Sequence, residues 1–131
     1  EGRRAGDPVS NSISPVNGAE TQGPTGVFLS VARIGHERIT NGSSLNMKFN
    51  PSLFRTSDGR RKFTAMLRAY FQAGGMHVQC NAVDNATLRD AQKNPEKHRG
   101  LVVRVSGYSA YFTDLGKSIQ DEIISRTELN C

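Results

Sequence analysis

The chain has 131 residues, of which 36% are hydrophobic and none is tryptophan, so it can form at most one modest domain around a small core. The formal net charge is +5, but the basic residues are scattered, and their one tight run, residues 60–62, has no aromatic platform beside it. No apolar run is long enough to cross a bilayer, and the N-terminal residues lack the apolar core of a signal peptide. We therefore expect a cytoplasmic chain that binds neither nucleic acid nor membrane.

The two cysteines, Cys80 and Cys131, have neither a CxxC motif nor the Cys/His spacing of a metal site, so no bound metal is expected. An even number of cysteines permits one disulfide, but no secretory cue is present, and reduced thiols are the better expectation. Cys80 falls within a predicted strand, where we expect a buried structural thiol, and Cys131 receives no role. The histidines His36, His77 and His98 lie on different predicted elements and are expected to be surface or hydrogen-bonded residues.

The N-terminal residues 1–24 are rich in Gly, Pro, Ser and Asn and show little periodicity, which predicts an extended loop. Two interpretations stay open for it: a disordered tail, or a segment that lies against a larger body. Residues 25–131 are predicted to fold into alternating helices and strands. The first helix is short, with Thr25 as its predicted cap and its end near Ile34.

A half-buried strand is predicted over residues 45–49, where apolar and polar residues alternate, and Lys48 is expected on its solvated face. The clearest helix follows over residues 58–73, because it carries an apolar stripe at helical spacing and ends at two glycines. The stripe, which we expect in the core, consists of Phe63, Met66, Leu67, Tyr70 and Phe71.

A second strand is predicted over residues 76–83, followed by a helix that Asn85 caps and that ends near Lys93. The face of this strand that we expect to be apolar comprises Met76, Val78, Cys80 and Ala82. A third strand over residues 101–105 is apolar enough to be buried on both faces. The last helix is predicted to begin at Asp114. Its inward stripe consists of Leu115, Ile119 and Ile123. The alternation of helices and strands favours an α/β fold.

Residues 104–112, with the sequence RVSGYSAYF, follow the third predicted strand and contain a lone glycine, Gly107. Because glycine has no Cβ, its backbone reaches conformations closed to other residues. Its Cα can also become planar and share an unpaired electron with the adjoining amide nitrogen and carbonyl. A glycine after a strand is usually a turn or bulge residue, and these nine residues alone favour that ordinary interpretation.

The stretch around Gly107 resembles the radical-bearing segment of the glycyl radical enzymes, and the resemblance covers nearly the whole chain. The other matching segments, in family order, are residues 1–6, 12–15, 23–25, 40–42, 46–49, 94–97 and 120–127. This extent favours a radical site over an ordinary turn. The resemblance begins partway through a motif, which favours a chain that forms the end of a longer enzyme.

The resemblance implies one glycyl radical domain over residues 1–131, with the fold of the C-terminal part of a ten-stranded α/β barrel and the radical loop at its end. Gly107 would hold a backbone radical that a radical S-adenosylmethionine activase installs. Arg104, Ser106 and Tyr108 would position the loop. No cofactor stays bound, because the radical group is the protein backbone itself. The loop is expected to move between a buried state and a state exposed to the activase.

The resemblance also implies that the radical passes to a cysteine thiol, which then attacks a small-molecule substrate. Cys80 does not fit the place of that cysteine, so the remainder of the enzyme or a partner chain would supply it, and the chain alone would be inactive. The sequence after Gly107 looks closer to the dehydratase, decarboxylase and C–N lyase branch than to pyruvate formate-lyase. We therefore expect an oxygen-sensitive lyase or dehydratase of anaerobic metabolism that cleaves a C–O, C–N or C–C bond.

Two alternatives to this function stay open. The chain fits the length of a free-standing radical domain that replaces the damaged end of an oxygen-cleaved glycyl radical enzyme. Without the resemblance, it is a non-catalytic α/β binding module.

Overall fold

The computed structural model describes residues 4–6 and 11–130. The α-helices in this part are α1 (Gly23–Ala32), α2 (Ser57–Gln72), α3 (Asn85–Lys93) and α4 (Lys117–Ser125). The strands are β1 (Asn46–Phe49), β2 (Gln79–Ala82), β3 (Val102–Arg104), β4 (Ser109–Tyr111) and β5 (Glu128–Leu129). Within these ranges, no helix is both long and apolar enough to cross a membrane.

The strands form two separate sheets. In the first sheet β1 is central and pairs in parallel with β2 on one side and β5 on the other. In the second, β3 and β4 form an antiparallel hairpin in which Val103 faces Ala110. Helices that connect parallel strands define an α/β fold, as the sequence predicted.

The central strand β1 is buried along its whole length, so the prediction of a half-buried strand is wrong. Because neighbours pair with both edges of β1 and side chains cover both faces, even Lys48 is 0% exposed. The alternation of polar and apolar residues misled the prediction, because the polar side chains of this strand are hydrogen-bonded inside the molecule.

The buried side chains form two clusters. One joins α1, α2 and β1, and includes Phe28, Phe49 and Tyr70. The other joins α3, the hairpin and α4, and its members are Val83, Leu88, Ala91, Val103, Val105, Phe112, Ile123 and Ile124. The second cluster lies under the hairpin and fixes its position on the two C-terminal helices.

Helix α2 has nearly the predicted limits. The Thr56 hydroxyl accepts a hydrogen bond from the Gly59 amide at 3.0 Å and caps its start. Gly74, with φ of +99°, follows its end. Tyr70 of the predicted stripe is buried, but Phe71 is exposed.

Helix α1 is not capped by Thr25. It begins two residues earlier, at Gly23, and Pro24 occupies its first turn, where the missing amide hydrogen costs nothing. The helix ends at Ala32, so Ile34 lies beyond it.

Three further predictions in the second half are wrong in detail. The cap of α3 is Asp84 rather than Asn85, since the Asp84 carboxylate accepts from the Thr87 amide at 2.6 Å. The third strand is shorter than predicted and is covered on one face only, because Val102 is 55% exposed. The last helix begins at Lys117, after a short 3₁₀ turn that contains the predicted start.

Two short strands escaped prediction. Strand β4 completes the hairpin and β5 adds an edge to the parallel sheet. Both are three residues long or shorter, and such runs carry little periodicity. In α4, Gln120 and Ile124 are buried with Ile123, whereas Ile119 of the predicted stripe is exposed.

Candidate functional site

Gly107 lies at the tip of the β3–β4 hairpin. The turn is closed by the Val105 amide, which donates to the Tyr108 carbonyl oxygen at 2.9 Å. Gly107 has φ of +77°, in the left-handed region that glycine adopts without strain. A Cβ built on Gly107 would have no heavy atom within 4 Å beyond its chain neighbours, so the backbone conformation and not the space selects glycine.

The tip is exposed in this chain. Ser106, Gly107, Tyr108 and Ser109 are all exposed, and Tyr108 retains 49% of its accessible surface. The connection around Gly107 is therefore strand–turn–strand followed by a helix, and not the strand–loop–helix unit that the sequence predicted. A second strand pairs with the first, which leaves only residues 105–108 as the turn.

Two side-chain amides of β2 connect the parallel sheet to the hairpin. Gln79 Oε1 accepts hydrogen bonds from the Gly107 backbone N–H, at 3.1 Å, and from Arg104 Nε. Asn81 accepts from the Arg104 backbone N–H at 2.7 Å and donates to the Arg104 carbonyl oxygen at 2.7 Å. Asn81 thus makes with Arg104 the pair of hydrogen bonds that a neighbouring strand would otherwise make.

Within β2 the buried face is therefore polar, so the prediction of an apolar buried face is wrong there, although Val78, just before the strand, packs against the first apolar cluster. Gln79 and Asn81 are buried, whereas Cys80 and Ala82 are exposed. Sequence reasoning missed both amides because a polar side chain in a strand ordinarily faces solvent. Gln79 and Asn81 lie two residues apart and therefore share the strand face opposite the one assumed to be buried. This spacing was the available signal that the two amides act together.

Arg126, just after α4, holds the root of the hairpin from the other side. Its guanidinium donates to the Val105 carbonyl oxygen at 2.7 Å and to the Arg104 carbonyl oxygen at 3.2 Å. The same guanidinium makes two hydrogen bonds to the Glu122 carboxylate, at 2.8 and 3.1 Å. Arg126 is 6% exposed, so these contacts are largely shielded from water. No pattern in the sequence indicates this role for Arg126.

The residues predicted to position the loop have different surroundings. Arg104 contacts Gln79 and, through Nη1, the Ser109 hydroxyl at 3.2 Å. Ser106 donates to Asn11 Oδ1 at 3.2 Å, which ties the tip to the N-terminal segment. Tyr108 contributes its backbone carbonyl to the turn, and its ring is half exposed.

Lys48 lies beneath the same region and not on a solvated face, so that expectation is wrong. Its ammonium donates to Asn85 Oδ1 at 2.7 Å and to the carbonyl oxygens of Ile124 and Ile123 at 2.9 and 3.3 Å. These carbonyls end α4, where a cation is favourable. Burial lowers the pKa of Lys48 to about 8, and the nearby Glu128 carboxylate offsets part of that effect.

A cleft of about 440 Å³ opens beside the root of the hairpin. Glu122 and Arg126 line it on one side and Asn46 and Lys48 on another. Of the groups that hold the hairpin, Arg126 forms part of the cavity wall, whereas the two β2 amides and the hairpin residues themselves are not among those that line the cleft.

The cysteines and histidines, for which no metal site was predicted, have varied surroundings. Within residues 4–6 and 11–130, no group of three or more His, Cys, Asp and Glu side chains is placed to hold a metal ion. Cys80 is a free thiol on the edge strand β2 and is exposed, so the expectation of a buried thiol is wrong. Cys131 lies outside the described residues. His36 is buried, with Nε2 2.9 Å from the Val31 carbonyl oxygen, and His98 contacts Asp90 at 2.7 Å.

Comparison with known protein families finds a match to the family described as glycine radical, over residues 9–113. The match includes the hairpin and Gly107. It covers most of the chain, which therefore belongs to the glycyl radical family, as the resemblance indicated.

The relatives are dehydratases and decarboxylases. The chain is 45% identical to the trans-4-hydroxy-L-proline dehydratase of Clostridioides difficile over 97% of its own length and 16% of that protein. It is 44% identical to the indoleacetate decarboxylase of Tractidigestivibacter scatoligenes, over 98% of the chain and 15% of that protein. The chain thus spans a small part of the length of these relatives and is a glycyl radical domain of their type.

The fold also matches solved structures. The B12-independent glycerol dehydratase from Clostridium butyricum superposes with a TM-score of 0.93 at 43% identity, over 98% of this chain and 16% of that one. The match places this small α/β chain with the C-terminal part of such barrel enzymes, which confirms the predicted fold class.

Proposed function

We propose that Gly107 is the radical-carrying residue of a glycyl radical enzyme that belongs to the dehydratase, decarboxylase and lyase group. The observation that carries the proposal is the position of this glycine at a hairpin tip, within the matched family region, with φ of +77°. When present, a Cα radical can abstract a hydrogen atom from a thiol and leave a thiyl radical on the sulfur. The residues around Gly107 hold its backbone and limit its motion.

The structure around Gly107 is compatible with a planar Cα. No heavy atom beyond the chain neighbours lies within 4 Å of the Cβ position, so the Cα substituents can flatten without a collision. The Gly107 N–H has a fixed acceptor in Gln79, which orients one of the two amides over which the unpaired electron would spread. Arg104 and Ser106 anchor the residues before the glycine, and Tyr108 closes the turn after it.

The proposed reaction is the cleavage of a C–O, C–N or C–C bond in a small-molecule substrate. The three named relatives are two dehydratases and a decarboxylase, which remove water or a carboxyl group, and this supports the proposed class. The thiol that reacts with the substrate belongs to another part of the enzyme or to a partner chain. Cys80 lies on β2 with its side chain on the face opposite Gln79, and Gln79 is the residue that contacts Gly107, so Cys80 is turned away from the radical carbon.

A partner must first remove one Cα hydrogen from Gly107, and we propose a radical S-adenosylmethionine activase for this step. The exposed tip supports direct access to the glycine in this chain. We propose that the enzyme works in the cytoplasm and under anaerobic conditions. Oxygen must be absent because a carbon-centred radical reacts with dioxygen.

The test is an electron paramagnetic resonance spectrum of the natural full-length polypeptide after anaerobic incubation with its activase, S-adenosylmethionine and a reductant. We expect a doublet, split by the one hydrogen that remains on Cα. Growth with α-deuterated glycine should collapse the doublet, which assigns it to a glycine.

Gly107→Ala should abolish the doublet. Gly42→Ala is the matched control, because Gly42 has φ of +80° and equally open space at its Cβ position. Both variants carry the same backbone strain, so a signal lost only in Gly107→Ala reports the radical position and not folding. A doublet that persists in Gly107→Ala would place the radical elsewhere and refute the proposal.

A further inference from the structure

The Gly107 amide has a single side-chain acceptor that belongs to the parallel sheet and not to the hairpin. Gln79 Oε1 lies 3.1 Å from the Gly107 nitrogen. The two sheets share no backbone ladder, since β2 pairs with β1 and β3 pairs with β4. The position of the tip relative to the sheet therefore depends on side chains.

Gln79 is itself fixed on every polar atom. Its Nε2 donates to the Ser44 hydroxyl at 2.7 Å, and its Oε1 is shared between Gly107 and Arg104 Nε. Gln79 is buried, with only 7% of its surface exposed. An amide held at both ends has one orientation, so it acts as a rigid acceptor for the Gly107 N–H.

We infer that Gln79 is a positioning residue for the radical glycine: its carboxamide oxygen holds the Gly107 N–H in the docked state and releases it when the tip opens. The inference rests on the proposed function of Gly107. It adds the group that sets the balance between a docked tip, held against the parallel sheet by Gln79, and an open tip free of that contact. The docked tip is already exposed, and opening adds the freedom to move toward an activase.

The hydrogen bond to Gly107 also bears on the radical itself. A glycyl radical is stabilised by electron donation from the amide nitrogen. An acceptor on the N–H polarises that amide and fixes its plane relative to the Cα. Loss of the acceptor should therefore change the magnetic environment of the radical as well as the exposure of the tip.

The test compares two substitutions of similar length in the natural full-length protein. Gln79→Met keeps the volume and removes the acceptor. Gln79→Glu keeps an acceptor oxygen for Gly107 and Arg104, and the Ser44 hydroxyl can rotate to donate to it. Gln92→Met is the control, because Gln92 is an amide of α3 that contacts Gln120 and Asp121 and not the hairpin.

The first readout is hydrogen exchange of the peptide that covers residues 104–110, without any radical. We expect Gln79→Met to speed exchange there at least about tenfold, the factor that ~1.4 kcal/mol produces, because the substitution removes the acceptor of both the Gly107 N–H and Arg104 Nε. Gln79→Glu should stay within about twofold of wild type. Exchange over α2 should not change in either variant.

The second readout is the activated protein. Gln79→Met should reach its full radical content faster, lose it faster on exposure to a quencher, and show an altered doublet splitting. Unchanged exchange at the tip in Gln79→Met, or an equal rise along the whole chain, would overturn the inference. Since the exchange measurement needs no radical, it stands even where Gly107→Ala refutes the radical position.

Discussion

The strongest test of how the hairpin is held is the substitution Arg126→Met. The Arg126 guanidinium donates to the carbonyl oxygens of Val105 and Arg104 at 2.7 and 3.2 Å. Methionine keeps most of the side-chain volume, so the packing is retained and the donors are lost. The two carbonyls at the root of the hairpin then lack their charged donor.

The expected cost follows from the geometry. A hydrogen bond to a charged group contributes ~1.5–3 kcal/mol, and the longer contact to Arg104 falls at the low end or below it. The ion pair with Glu122 adds little, about 0–1 kcal/mol, because the Glu122 side chain is 40% exposed and solvent screens it. We expect hairpin opening to become easier by ~2–4 kcal/mol, which is roughly 30- to 1000-fold in the opening equilibrium.

The assay is hydrogen exchange of the β3 and β4 amides in the full-length protein. Arg61→Met serves as the control, because Arg61 pairs with Asp58 at 2.7 Å on the surface of α2 and both side chains are exposed. Glu122→Gln should have a small effect, since it leaves the bonds from Arg126 to the carbonyls in place. Hairpin exchange within about twofold of wild type in Arg126→Met would refute the reasoning.

Two further predictions concern buried or capping charges. Because the pKa of Lys48 is about 8 in the folded chain against 10.5 ordinarily, the unfolded chain binds more protons between these values and stability should rise with pH there. Measured by urea unfolding, the free energy of unfolding should rise by roughly 2–3 kcal/mol from about pH 7 to about pH 10, relative to that of Lys48→Met. A difference between wild type and Lys48→Met that stays constant over this pH range would contradict the prediction. Asp84→Ala should cost ~1 kcal/mol through loss of the α3 cap, whereas Asp84→Asn keeps the cap. The hydrogen bond from the Thr87 amide lowers the pKa of Asp84 in the folded chain. The stability that the Asp84 carboxylate contributes is therefore present above its ordinary pKa of 3.8 and is lost as the pH falls below that value. Asp84→Asn should remove that loss from acid unfolding curves.

The sequence predicted those elements whose stability is local. Helix α2 was predicted from the apolar stripe along it and the two glycines after it, and both signals lie within the helix or beside it. The α/β class and the position of Gly107 at a turn also followed from local pattern and from the family resemblance. The resemblance itself carried the function, because nothing in the periodicity distinguishes a radical glycine from any turn glycine.

The contacts that hold the hairpin could not be predicted because they join residues far apart in the chain. Gln79 and Arg126 both reach the segment around Arg104, from opposite directions along the sequence. Periodicity assigns a polar residue in a strand to solvent, and that rule placed Lys48 and the β2 amides on the wrong face. A buried amide becomes recognisable only when the topology supplies its partner.

The architecture limits how the tip can open. Val103, Val105 and Phe112 anchor the hairpin in the second apolar cluster, and burial of each such side chain is worth ~1.5–3 kcal/mol. Lifting the whole hairpin would therefore cost ~5–9 kcal/mol before any hydrogen bond is counted, which approaches the total stability of a domain of this size. Opening at the turn exchanges the side-chain hydrogen bonds of the tip and the backbone hydrogen bond from Val105 to Tyr108 for water, and it leaves the apolar cluster in place. Local opening at Gly107 is thus the route open to the chain by itself, and release of the whole hairpin requires a partner whose binding offsets the loss of the cluster.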